Sequence, residues 1–236
     1  MPMIRGKAFE FSAKNILQTY LASNKWLVEK INQNAQTGSH DIDVKVTNIL
    51  TTNKLSIECK LAGKGSFKVD STTNNFLIKV KCMRSRTLGT ARVAQLAPSM
   101  GVTTAQLSVH NDQYRKTDFD IVLTNIANAF YETDSDGNYF WSPTVEGIAF
   151  LKNLTGCTTD AELQEAVFNT LYFAKTSDII ITPSNNITCT RRLCTNKTDC
   201  QFIPNYPIII FDKTTFKPTN NWYPVSDADR IFTPLT

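Results

Sequence analysis

Residues 42–62 read IDVKVTNILTTNKLSIECKLA, and the alternation within them decides the fold. Successive side chains of a strand point to opposite faces of a sheet. Ile42, Val44 and Val46 therefore share one face, and Asp41, Asp43 and Lys45 share the other. Beyond the short polar turn Thr51–Asn53, Leu55, Ile57 and Cys59 share an apolar face, and Ser56, Glu58 and Lys60 share its reverse. Two such runs joined by a turn predict an antiparallel hairpin. Its charged side brings Asp43, Glu58 and Lys60 together. Two carboxylates that converge repel each other and resist burial, and a hard divalent cation between them reverses that balance. Magnesium suits such a site, because it is held by one or two carboxylates together with waters and phosphate oxygens. A lysine beside it stabilises developing charge or positions a water. The hairpin therefore predicts metal-assisted hydrolysis of a phosphodiester.

Working outward, residues 6–26 (GKAFEFSAKNILQTYLASNKW) predict a helix. Phe9, Ala13, Ile16, Leu17, Tyr20 and Leu21 recur at spacings of three and four and form one apolar stripe. Downstream, residues 74–83 and 117–126 predict strands, and residues 128–141 a hairpin about DSDG. Helices are expected at 142–154, with Ser142 as N-cap and Pro143 at the first position, and at 158–176. Short strands at 178–182 and 206–211 follow among loops rich in proline, asparagine and threonine. The order predicts a mixed α/β fold, one domain over 1–236. Its catalytic core is expected at about 6–180, and its β- and loop-rich C-terminal extension, at about 181–236, is assigned to DNA recognition or dimerisation.

Asp43 followed by Glu58-Cys59-Lys60 on consecutive strands resembles the signature of the PD-(D/E)XK nuclease superfamily. The helix over GKAFEFSAKNIL is similar to the opening helix of those proteins, and Glu10 matches their helical glutamate at the metal site. The resemblance covers residues 6–62. It lacks the proline before the first aspartate: HDID stands there, and Asp41 and Asp43 compete for the role. Asp43 is preferred, because DVKV continues as the alternating strand. The resemblance implies a mixed central sheet flanked by helices, and hydrolysis of double-stranded DNA with Mg2+. Mn2+ is expected to substitute, and Ca2+ to bind without turnover. Asp43, Glu58 and Glu10 would be the metal ligands, Asp41 an outer one, and Lys60 would act near the attacking water. A type II restriction endonuclease is the nearest such protein. A junction resolvase or repair nuclease, and a DNA-binding protein with a decayed nuclease core, are the alternatives. A palindromic target favours a two-fold homodimer.

Composition agrees with a packed domain: of 236 residues 42% are hydrophobic and 19% charged. No apolar run of about 18 residues is present, so no membrane span is expected. The start, MPMIRGKAFEF, has no apolar stretch behind its basic residue, and an intracellular protein is expected. The net charge of +4 is mild, and calls for a local basic cleft rather than a basic protein. Lys79, Lys81, Arg84 and Arg86 in the most basic stretch, and Arg191 and Arg192 later, are the candidate DNA contacts. Cys189, Cys194 and Cys200 offer three thiolates to zinc, with Cys157, His110 or His40 as a fourth ligand. Their spacing of four and five residues departs from the usual paired pattern, so reduced thiols are expected.

Overall fold

The structure, a computed structural model, describes residues 2–31, 42–179, 189 and 191–236. It is mixed α/β: a central six-stranded sheet flanked by helices. The predicted hairpin is at its heart. β2 (Val44–Asn48) and β3 (Lys54–Cys59) pair antiparallel with Val44 opposite Ile57 and Val46 opposite Leu55. These four side chains are buried on the apolar face, as the alternation requires.

Helix α1 (Pro2–Tyr20) covers that face. Phe9, Ala13 and Leu17, one turn apart, are buried against the sheet, with Leu21 just beyond the helix. The helix stops at Tyr20, short of the expected Trp26. Trp26–Lys30 instead forms β1, an antiparallel partner of β2. Trp26 and Val28 are buried on either side of exposed Leu27. That alternation is only five residues long, too short to stand out behind a strong helical stripe.

β6 (Ile121–Asn125) lies parallel to β3, and β9 (Leu171–Lys175) and β11 (Trp222–Pro224) continue the sheet antiparallel. The strand order is β1-β2-β3-β6-β9-β11. Parallel neighbours need a long connection. Here it carries β4 (Lys68–Val69), β5 (Phe76–Lys79), α2 (Thr90–Ser99) and α3 (Thr104–Val109). β4 and β5 join β10 (Ile208–Phe211) in a second, three-stranded sheet. The predicted strand at 74–83 is therefore β5, outside the central sheet.

β7 (Tyr131–Thr133) and β8 (Tyr139–Trp141) form the expected hairpin. α4 (Val145–Thr155) begins two residues later than expected: Thr144, not Ser142, is the N-cap, accepting from the Gly147 N–H at 3.1 Å. The helix expected at 158–176 is two elements. α5 (Asp160–Asn169) is closed by a Thr159–Glu162 capping box, and β9 follows at once. Leu171, Tyr172, Phe173 and Ala174 are all buried. A strand covered on both faces shows no alternation, and its apolar run merged with the helix before it. The strand expected at 178–182 lies mainly outside the described residues.

The segment after 181 is more than an appendage. β11 is the edge of the central sheet, and α6 (Ala228–Phe232) joins the core beneath α1, with Phe232 against Trp26 and Phe173. Phe232→Ala should cost about 3–5 kcal/mol of unfolding free energy, as for other fully buried phenylalanines. Urea denaturation measures it. A loss under about 1 kcal/mol would mean that the C-terminus is detachable.

Candidate active site

Continuing the β2–β3 register by one residue sets Asp43 opposite Glu58, on the face away from α1. Both are nearly buried, 8% and 7% exposed, and so is Glu10 at 8%. The Cys59 N–H donates to Asp43 Oδ2 at 2.8 Å and fixes that carboxylate across the hairpin. Lys60 Nζ lies 2.6 Å from Glu58 Oε1. Glu10 reaches in from α1, held by Lys30 Nζ at 2.7 Å and Lys7 Nζ at 2.9 Å. The structure thus brings Asp43, Glu58, Lys60 and Glu10 to one end of the sheet. Asp41 and His40 lie outside the described residues.

The electrostatics show what this convergence costs. Burial, then the negative charges of Glu58 and Glu10, push the Asp43 carboxyl up to about 8; the Cys59 N–H and Lys60 offset part of this. The Cys59 thiol is raised as well, by burial first and then by Asp43, Glu58 and Glu10 in turn. The Cys59 thiol therefore feels all three carboxylates, and Asp43 feels the other two. Lys60 behaves oppositely. Burial alone would lower its ammonium, but Glu58, with Tyr114 and Cys82, more than offsets that and holds it well above an ordinary lysine. Lys60 is a fixed cation at neutral pH and not a proton acceptor.

Tyr114 completes the site, and nothing in its local sequence announces it. Its hydroxyl donates to Glu58 Oε1 at 3.1 Å and accepts from Lys60 Nζ at 3.1 Å. Burial, followed by the Glu58 charge, raises the phenol, so the proton stays on it. Two cations lie near the ring, with Lys60 Nζ 4.6 Å and the Arg84 guanidinium 4.8 Å from its centroid. Lys30 was equally silent, since its contact with Glu10 crosses from β1 to α1.

The expected DNA contacts divide into two groups. Lys79 and Lys81 are exposed and line an open groove with Lys64, Lys68 and Tyr206. The groove adjoins the strand that carries Glu58 directly: after Lys60 the chain bridges Ala62 to Val80, and the Lys81 N–H donates to the Leu61 carbonyl at 3.0 Å. Arg86 and Arg192 are exposed elsewhere. Arg84 faces inward instead, donating to the Gln113 carbonyl at 2.9 Å and to Asp118 at 2.9 Å, under the Tyr114 ring. Arg191 is likewise paired, with Asp112 and with Gln113 Oε1. Through these ion pairs and hydrogen bonds both arginines support the 110–118 segment.

Among the described residues, the one group of three or more metal-ligating side chains with donor atoms within 4.8 Å of one another is not the acidic set but His110 with Cys189, Cys194 and Cys200. No helix among the described residues is long and apolar enough to cross a membrane. Comparison with protein-family models, curated proteins and solved structures finds no match to the chain.

Asp43 titrates near 8 in the folded protein against 3.8 ordinarily, so the folded state binds the extra proton between those values. Its contribution to stability is full below about pH 4 and is lost as pH rises through about 8. In buffer without divalent cations, the melting temperature should fall between about pH 5 and 8, and Asp43→Asn should flatten that fall. Parallel profiles for the two proteins would remove the carboxylate repulsion from the account.

Proposed function

We propose that the chain is a magnesium-dependent endodeoxyribonuclease built on the PD-(D/E)XK plan, most like a type II restriction endonuclease. One observation carries the reading: Asp43, just before β2 and bonded to the Cys59 N–H, comes together with Glu58 on β3 and with Lys60 next to it, and Glu10 is supplied by the opening helix. The mixed sheet flanked by helices is the frame that the signature calls for. The groove with Lys64, Lys68, Lys79 and Lys81 offers a positive track for a phosphate backbone beside it.

The residues fit a hard cation. Three carboxylates share a mostly buried corner, where burial first and then the charges of Glu58 and Glu10 push Asp43 up to about 8. Asp43 and Glu58 would hold Mg2+, with Glu10 assisting. When bound, the ion supplies Lewis-acid polarisation of the phosphate and a lowered pKa for a coordinated water. The protein's own part is positional and electrostatic. The Cys59 N–H orients Asp43, and Tyr114 and Lys60 hold Glu58 by one oxygen. The Lys60 ammonium, kept charged, faces the negative charge that builds on the phosphorane-like transition state. The Arg84–Asp118 pair keeps Tyr114 in place under the lysine. A homodimer, each subunit cutting one strand, is the assembly that a palindromic target would favour.

Plasmid and long mixed-sequence duplex DNA incubated with the protein and Mg2+ should give discrete fragments. Glu58→Gln should abolish cutting while leaving DNA binding in Ca2+. Lys60→Ala should lower the single-turnover rate by about 10²–10³-fold with little change in affinity. A folded wild-type protein that cuts neither DNA in Mg2+ or Mn2+, or a Glu58→Gln variant that cuts normally, sinks the reading.

The groove has its own test. Lys79→Ala and Lys81→Ala should each flatten the slope of log affinity against log salt by about 0.9 on duplex DNA, equally on specific and random sequence. Unchanged slopes for both would place the DNA on another face.

A further inference from the structure

The turn-rich segment 189–202 is built around buried sulfur. Cys189 and Cys200 are buried and Cys194 is partly so. The ring of His110, which caps the C-terminus of α3, is buried among them. The donor atoms of all four lie within 4.8 Å of one another, although His110 is far from the cysteines in sequence. Cys200 Sγ is 3.8 Å from His110 Nε2. A tetrahedral zinc ion, with Zn–S near 2.3 Å and Zn–N near 2.0 Å, sets such a pair about 3.6 Å apart.

The histidine is also oriented as a ligand. The Gln113 amide nitrogen donates to the Ile203 carbonyl at 2.8 Å, which leaves Gln113 Oε1 as acceptor toward the ring. His110 Nδ1 stands 2.6 Å from that oxygen and must therefore carry its proton. The Arg191 Nε–H donates to the same oxygen at 3.1 Å. Nε2 is then the unprotonated nitrogen, and it faces the sulfurs. A ligating histidine is normally fixed in this way through its other nitrogen. The backbone supplies the matching N–H···S contact, from Arg191 to Cys189 Sγ at 3.4 Å.

The lobe needs such a tie. Its buried core is Val93, Ala97, Leu107, Phe202 and the two buried cysteines, with the His110 ring stacked on Phe202. A core this small seldom holds irregular chain unaided, and small modules add a disulfide or a structural metal. None of the six cysteines is in a disulfide.

We propose that His110, Cys189, Cys194 and Cys200 form a structural zinc site that fastens the 189–202 segment to α3. Three thiolates and an imidazole select Zn2+ over Mg2+ and Ca2+, which take oxygen. Four protein ligands close the site, so its role is structural and not catalytic. It stands independently of the nuclease reading.

Metal analysis of the protein purified from zinc-supplemented medium should find one zinc per chain. Replacement by Co2+ should give the strong visible ligand-field bands of a tetrahedral ion and the near-ultraviolet charge transfer of Co2+–thiolate bonds. Cys194→Ser, at the least buried ligand, should weaken zinc binding and diminish the charge-transfer band. Gln113→Ala should weaken zinc affinity by about 10–100-fold without removing a ligand. Cys157→Ser, outside the cluster, should change neither. Metal-free wild-type protein whose thiol reactivity does not respond to added Zn2+ would overturn the site. So would a disulfide among these cysteines in the non-reduced protein, or a Co2+ spectrum without thiolate charge transfer.

Discussion

The register of one hairpin governs this molecule. With Val44 opposite Ile57 as the last pair, Asp43 and Glu58 are the residues next beyond it on the two chains. A slip of β2 by one residue would send Asp43 toward the α1 core and Val44 and Val46 to the other face. The burial of Val44, Val46, Leu55 and Ile57 beneath α1 forbids that slip. The apolar face thus enforces an arrangement on the other face that is unfavourable by itself. Asp43 records the penalty, titrating near 8 where a solvated aspartate titrates near 3.8. Stability supplied by one side of the sheet offsets strain concentrated on the other, as is common at functional sites.

The hairpin was legible because its two faces meet different surroundings, so period two is written directly in the chain. The stripe of α1 was legible for the same reason at period 3.6. Elements that broke this rule were lost. β9 is buried on both faces, so Leu171–Ala174 merged with the preceding helix. β1 is five residues long, and one exposed leucine is a faint signal. α2 and α3, inside the crossover, were hidden by a stretch that drew notice for its charge. At the site, Asp43, Glu58 and Lys60 follow from local alternation, and Glu10 from the resemblance of the opening helix. Tyr114 and Lys30 do not, because each acts through a contact made only when distant elements pack. A sequence likewise shows the charge of Arg84 and Arg191 but not the aspartate that each pairs with. The sulfur cluster was half visible. Three cysteines drew notice, but their spacing fits no local knuckle, and only the fold brings in His110.

Residues 110–118 connect the two clusters. His110 faces the sulfurs, and Gln113 holds His110 while its own carbonyl accepts from Arg84. Tyr114 holds Glu58 and Lys60, and Asp118 anchors Arg84 beneath the tyrosine. On its other edge the segment pairs with the chain just after Cys200: the Ile203 N–H donates to the Tyr114 carbonyl at 2.9 Å. The sulfur lobe and the acidic corner therefore share one piece of backbone. A tie at Cys200 and His110 would act on Tyr114 through rigid hydrogen bonds rather than through loops.

On the proposed readings one chain holds two metals without confusing them, and ligand chemistry alone is enough to separate them. The acidic corner offers oxygen only, from carboxylates beside an open groove, and suits an ion that keeps part of its water. The sulfur cluster is enclosed, offers three thiolates and one imidazole, and has no position left for water or substrate. The hard, exchangeable ion would sit where chemistry needs an open coordination position, and the soft, retained ion where the fold needs a fixed joint. Tyr114 lies between them, aligned from one side by the joint and poised from the other on the glutamate that would receive the reactive ion.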